Sequence, residues 1–169
     1  GFAIINTYVG MVFTAKSTDY YPRLSSVAED NMKARELINQ QAETAILILA
    51  PILTVFLIFI RQVVILFYSQ QFITVNEMIQ WAAIGMYFKA ASWSVAFILL
   101  AKGASRTFFW NELLSNIVIL VCNIVGYRIA GLEGMGISFL IAYIAYYIQI
   151  YIVARTLYGF SFTHLFYRL

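Results

Sequence analysis

Between Ala45 and Ile60 the sequence reads AILILAPILTVFLIFI, without one charged residue. Immediately before it lies the one long polar run of the chain, TDYYPRLSSVAEDNMKARELINQQAET over Thr18–Thr44. That run sets Arg23, Lys33 and Arg35 against Asp19, Glu29, Asp30, Glu36 and Glu43. This juxtaposition restricts the fold more than any motif does. A helix needs about 20 largely apolar residues to cross a bilayer, and further runs of that kind follow, separated by short polar breaks. Hydrophobic residues make up 62% and charged residues 11%, with a mean hydropathy of +0.80. Soluble domains hold about 45–50% apolar and 25% charged residues. The expected fold is all-α, a polytopic transmembrane helix bundle, because only a helix or a closed barrel satisfies its backbone hydrogen bonds in lipid.

The chain opens on Gly1, already inside an apolar run, and lacks the charged start and small-residue cleavage site of a secretory leader. With no initiator Met and a first apolar run reaching only from Gly1 to Ala15, the expectation is the C-terminal part of a longer protein. The single cysteine, Cys122, cannot form an internal disulfide and sits in an apolar run, so packing is its expected role. The net charge of +3 includes no dense Lys/Arg block, which argues against a nucleic-acid partner.

About five crossings are expected, over residues 1–15, 45–68, 75–101, 107–126 and 136–158. The first would end at Lys16, where a lysine can snorkel to the interface. Between the first and second crossings, Ser26 followed by Glu29 fits a capping box that would start a helix over 25–44. Val27, Ala34, Ile38 and Ala42 recur there at helical spacing, which predicts an amphipathic helix lying along the membrane surface. Lys16, Arg23, Lys33, Arg35, Lys102, Arg106, Arg155 and Arg168 would all fall on one side of the membrane, and only Arg128 on the other. The positive-inside rule makes the crowded side cytoplasmic, so the start of the chain would lie outside and its C-terminus inside.

Lys89, near the middle of the third crossing, is the sharpest single residue. A lysine at a helix centre costs about 2.5–3.5 kcal/mol on insertion scales, so it should face a bundle interior, a partner or water. Gly85, Ser92 and Ala96 share its face and would give the cation a narrow lining. It reads either as a binding point for an anionic group in a transport cavity or as a structural pair with an acid such as Glu112. Arg61 is a second candidate cation, or else an interfacial anchor. On the fourth crossing Glu112, Asn116 and Asn123 share a face, with Asn111 and Ser115 alongside. They would bond a sugar, couple a proton through Glu112, or bond a neighbouring helix, since unpaired polar atoms are costly in hydrocarbon.

Tyr143, Tyr147 and Tyr151 form a stripe on the fifth crossing, for which helix packing is the plainer account and sugar stacking the sharper one. Gly131, Gly134 and Gly136 in GLEGMG lack the preceding strand that a nucleotide loop requires, so close helix packing is expected instead. The lone His164 has no cluster of Cys, Asp or Glu at metal spacing, and no serine has an evident base beside it. The sequence therefore predicts no catalytic residues, no metal and no cofactor.

The run TDYYPRLSS with the polar helix after it, then LFYSQQF, LLAKGASRTFFWNELLSN and GLEGMGISFLIAYIAYYI, resembles the C-terminal half of a polysaccharide flippase. That group of O-antigen translocases belongs to the superfamily that also holds multidrug exporters and the peptidoglycan lipid flippase. The likeness spans nearly the whole chain, and YYPRLS and LFYSQQF at their mutual spacing are its most telling pieces. It implies two helix bundles around a cavity that opens alternately to each side of the bacterial inner membrane. The implied substrate is a polyprenyl-pyrophosphate-linked oligosaccharide, moved outward for O-antigen and lipopolysaccharide synthesis, with membrane lipids as partners and H⁺ or Na⁺ as the candidate coupling ion. An anionic pyrophosphate would account for buried charge that is mainly cationic, at Lys89 and Arg61. The rival of the same fold is a cation-coupled multidrug exporter, which would favour several acids within the membrane. A membrane-bound transferase or a scaffold is a third reading.

Overall fold

The computed structural model describes residues 18–68 and 74–163, which are helical nearly throughout and include no strand. Helix α1 covers residues 18–26, α2 runs over Asn31–Tyr68, α3 over Thr74–Ala101 and α4 over Ser105–Tyr158.

The start of α2 differs from the expected capping box. The Ser26 hydroxyl donates back to the carbonyl of Arg23 at 2.8 Å, which closes α1. The chain then turns through residues 27–29, and Asp30 caps α2 by accepting from the backbone N–H groups of Met32 at 3.0 Å and Lys33 at 3.2 Å. A carboxylate directly before the helix reaches the N2 and N3 amides, a position that Ser26 has already turned away from.

No break separates a surface helix from a crossing at residues 44–45. Ala34, Ile38 and Ala42 are fully buried, and the same stripe continues through Ala45, Leu49 and Leu53. Because the buried face runs on without interruption, the polar and apolar halves form one helix of 38 residues. At about 1.5 Å per residue it is close to 57 Å long, well beyond the roughly 30 Å of a bilayer core. The polar half therefore projects past the apolar half, with its inward face covered by protein.

Helix α3 is the central element, packed on α2 along one side and on α4 along the other. Alanines 82, 83, 90, 91 and 96 give it a narrow profile, and the neighbouring helices come close. A Cβ added to Gly136 would sit 2.4 Å from the Met78 carbonyl oxygen, and one on Gly85 would sit 2.7 Å from the Phe139 ring.

Helix α4 is 54 residues long but reverses direction at Ala130 (φ −137°, ψ 22°) and Gly131 (φ 59°, ψ −133°). Residues 105–129 form an outgoing arm and 132–158 a returning one. The arms touch backbone to backbone near the bend, where a Cβ on Gly134 would lie 2.0 Å from the Gly126 carbonyl oxygen. The GLEGMG run thus supplies a turn and two close helix contacts. The fourth and fifth apolar runs of the sequence are the two arms of this hairpin. Three helices, over Asn31–Phe59, Val75–Ala101 and Ser105–Tyr158, are long and apolar enough to cross a membrane. The crossing expected over 1–15 lies outside the described residues, and five crossings are not shown.

One end of the bundle collects the polar turns. Lys102 Nζ donates to the Ala28 carbonyl and to Asn31 Oδ1, joining the end of α3 to the α1–α2 turn, and lies 5.1 Å from the Tyr158 ring centre. Arg35 Nε donates to the Ser161 carbonyl at 2.8 Å, bringing the segment after α4 to the same place. Lys16 and Arg168 lie outside the described residues.

Candidate functional site

Lys89 occupies the face of α3 that meets the returning arm of α4. One turn before it, the missing side chain of Gly85 admits the ring of Phe139. The Phe139 ring lies tilted against that of Tyr143, centres 4.5 Å apart, and the Tyr143 ring centre is 5.4 Å from Lys89 Nζ. An ammonium over a phenol ring is attracted by the ring quadrupole, worth about 0.5–2 kcal/mol depending on desolvation. Ser92 and Ala96, expected beside the cation, are buried in the same seam, the Ser92 hydroxyl donating to the Phe88 carbonyl of its own helix.

From Tyr143 the contacts continue along the hairpin. Its ring meets that of Tyr146 edge-on at 6.3 Å, and the buried Tyr146 hydroxyl donates to Glu112 Oε1 on the outgoing arm. One turn further, Gln149 Nε2 donates to Asn111 Oδ1 at 2.8 Å and to the Asn111 carbonyl at 3.2 Å. The Ser115 hydroxyl donates to that same carbonyl at 2.8 Å. Asn111 is buried, and its Nδ2 finds no acceptor among the described residues. A polar seam thus runs inside an otherwise apolar hairpin and ends, through two tyrosines, at a cation on α3. Such a seam offers a cation to an anion, and a carboxylate and amides to hydroxyl groups.

The candidate residues divide. Lys89 and Glu112 are joined through Tyr143 and Tyr146. Asn116 instead donates its amide to the Glu112 carbonyl of its own helix at 2.8 Å and is exposed. Asn123, nearer the bend, lines a shallow hollow with Tyr127, Arg128 and Met135. Arg61 belongs to the last part of α2, and its side chain lies outside the described residues. The tyrosine stripe also splits. Tyr147 and Tyr151 stack on Phe162, at 5.8 Å each, whereas Tyr143 packs on Phe139 and under Lys89. Among the described residues, no three of His, Cys, Asp and Glu come together to hold a metal.

Tyr146 and Gln149 were missed by the sequence reading. Tyr146 lies three residues from Tyr143, off the four-residue stripe that drew attention. Gln149 did carry a signal, as the one carboxamide within IAYIAYYIQIYIVA, since such a group in an apolar helix needs a partner. No protein-family model, curated protein or solved structure matches this chain.

Proposed function

We propose that the chain is the C-terminal part of a flippase that carries polyprenyl-pyrophosphate-linked oligosaccharide across the bacterial inner membrane by alternating access. The observation that carries this reading is the placement of Lys89 in the α3–α4 seam, over Tyr143 and connected through Tyr146 to Glu112. A lipid-linked sugar presents an anionic pyrophosphate beside hydroxyl-rich rings. A cation next to a carboxylate and amides is complementary to that pair. The resemblance of YYPRLS and LFYSQQF to the polysaccharide flippases supports the same substrate class.

In this reading each arm of α4 crosses the membrane, and the end that gathers Arg23, Lys33, Arg35 and Lys102 faces the cytoplasm. The pyrophosphate meets Lys89 when the bundle opens inward, taking the place of the Tyr143 face. Glu112 and the Asn111–Gln149 pair then accept and donate to sugar hydroxyls as the head group passes, while the prenyl chain stays in lipid. Relative motion of two bundles moves the opening without exposing backbone to hydrocarbon.

The test is Lys89→Ala in a strain that depends on this protein for surface polysaccharide. Loss of polysaccharide at unchanged protein abundance is expected, and wild-type polysaccharide would overturn the assignment. Translocation of lipid-linked oligosaccharide by purified protein in vesicles separates this reading from a drug exporter and from a transferase or scaffold.

A further inference from the structure

After α4 the chain turns at Gly159, whose left-handed conformation (φ 64°) caps the helix, and folds back over it. Residues 160–163 then face two elements with different chemistry. Towards α4 the contact is aromatic: Phe160 and Phe162 are buried, with Phe162 stacked on Tyr147 and Tyr151 and Phe160 edge-on to Tyr151 at 6.3 Å. Towards α2 it is polar and runs along one face at four-residue intervals. Arg35 Nε donates to the Ser161 carbonyl, Asn39 Oδ1 accepts from the Thr163 N–H at 2.8 Å, and Glu43 Oε1 accepts from the Thr163 hydroxyl at 3.3 Å. Asn39 Nδ2 also reaches the Ser161 carbonyl at 3.4 Å, so one amide grips the backbone at alternate residues.

We propose that residues 160–163 form a strap that ties the polar half of α2 to the returning arm of α4 and detaches on the α2 side. The two faces come apart under different conditions. Aromatic burial holds as long as water is excluded, whereas hydrogen bonds to the partly exposed Ser161 and Thr163 can be exchanged for water, which also reaches the uncovered Asn39. The strap therefore stays with α4 and releases α2. Thr163 also forms part of the wall of a polar hollow of about 650 Å³, lined by Arg23, Lys33, Glu36 and Gln40 among others. Release widens that hollow at the end where the polar turns gather, so the strap governs access there whichever solute the protein carries.

The experiment uses the full chain in opened membranes, with Cys122→Ala as background and single cysteines at Thr163, on the α2 side of the strap, and at the exposed Met32. Maleimide should label the Thr163→Cys protein severalfold more slowly than the Met32→Cys protein, the protection expected of a segment that opens only locally. Adding Arg35→Ala and Asn39→Ala should bring Thr163→Cys most of the way to the Met32→Cys rate. Equal rates at the two cysteines without those changes would show that no strap exists. A slow rate that the two alanines leave unaltered would show that α2 does not control release, and would equally overturn the proposal. Should the alanine variants fail to accumulate, Asn39→Cys with Thr163→Cys provides the second measurement. An oxidant should join that pair in most molecules, and failure to join would refute the contact. Neither readout involves a transported substrate, so the strap is tested apart from the flippase reading.

Discussion

The Tyr146 hydroxyl on the returning arm of α4 donates to the Glu112 carboxylate on the outgoing arm, joining the two arms well away from the bend at Ala130 and Gly131. Tyr146 is buried and Glu112 half-buried, so this bond is made where water competes poorly. Tyr146→Phe removes the donor but keeps the ring. It should lower stability by about 1–3 kcal/mol, the cost of leaving a desolvated acceptor without its partner. Glu112→Gln retains an acceptor and should cost less. Unfolding of detergent-solubilised protein by added SDS, followed by circular dichroism, measures both. A Tyr146→Phe protein as resistant as the parent would mean that the bond contributes nothing.

Two glycines at the bend test different physics. A Cβ at Gly131 meets nothing within 4 Å, so Gly131→Ala is opposed only by the backbone angles, at about 1–3 kcal/mol. A Cβ at Gly134 would lie 2.0 Å from the Gly126 carbonyl oxygen, and the two arms would have to part. Gly134→Ala should therefore be the more damaging, by roughly 3 kcal/mol or more, since overpacking moves backbone as well as side chains. The same unfolding assay ranks them, and the reverse order would contradict the close approach of the arms.

The cap of α2 makes a prediction in pH. The Lys33 backbone N–H, aided by that of Met32 and by the nearby Lys33 charge, holds the Asp30 carboxyl below its ordinary range. A carboxylate whose folded pKa is lowered adds stability above its unfolded pKa and loses it as pH falls through the folded one. The difference between the parent and Asp30→Ala should thus be constant at neutral pH and start to shrink only in acid, below about pH 4. Ser26→Ala should leave α2 unaltered, because among the described residues the Ser26 hydroxyl bonds to Arg23 in α1 and not to α2. Helix content followed against pH for the three proteins decides between this cap and a Ser26–Glu29 box.

These cases show what could be read before any coordinates. The apolar runs over α3 and both arms of α4 were legible because membrane length and composition speak directly in sequence. Continuity of α2 through residue 45 is also written there, since no glycine or proline interrupts QAETAILILA, but the change of polarity after Thr44 reads as a change of element. Ser26 and Glu29 match a capping spacing that Asp30 does not need, and only geometry shows which oxygen faces the free amides. The site was half legible. Lys89 stood out through the cost of burying charge, and Glu112 as an acid in an apolar run, whereas the tyrosines that join them depend on how the hairpin closes. The grip of Arg35, Asn39 and Glu43 on residues 161–163 bridges more than a hundred positions, and no local pattern marks it.

On the proposed flippase reading, Lys89 allows a structural role and a transport role to be told apart. If it served only to hold α3 against α4, replacing it with a side chain of similar length and no charge would loosen the seam. Methionine fills much of the same volume and packs well against aromatic rings, so the contact with Tyr143 would be kept in kind. Removing the charge also removes the penalty of holding it in the membrane. Lys89→Met should therefore unfold no more easily than the parent, yet fail to move lipid-linked oligosaccharide in vesicles, whereas Lys89→Arg should retain part of that activity. A Lys89→Met protein that is less stable and still transports would assign the residue to packing and remove it from the site.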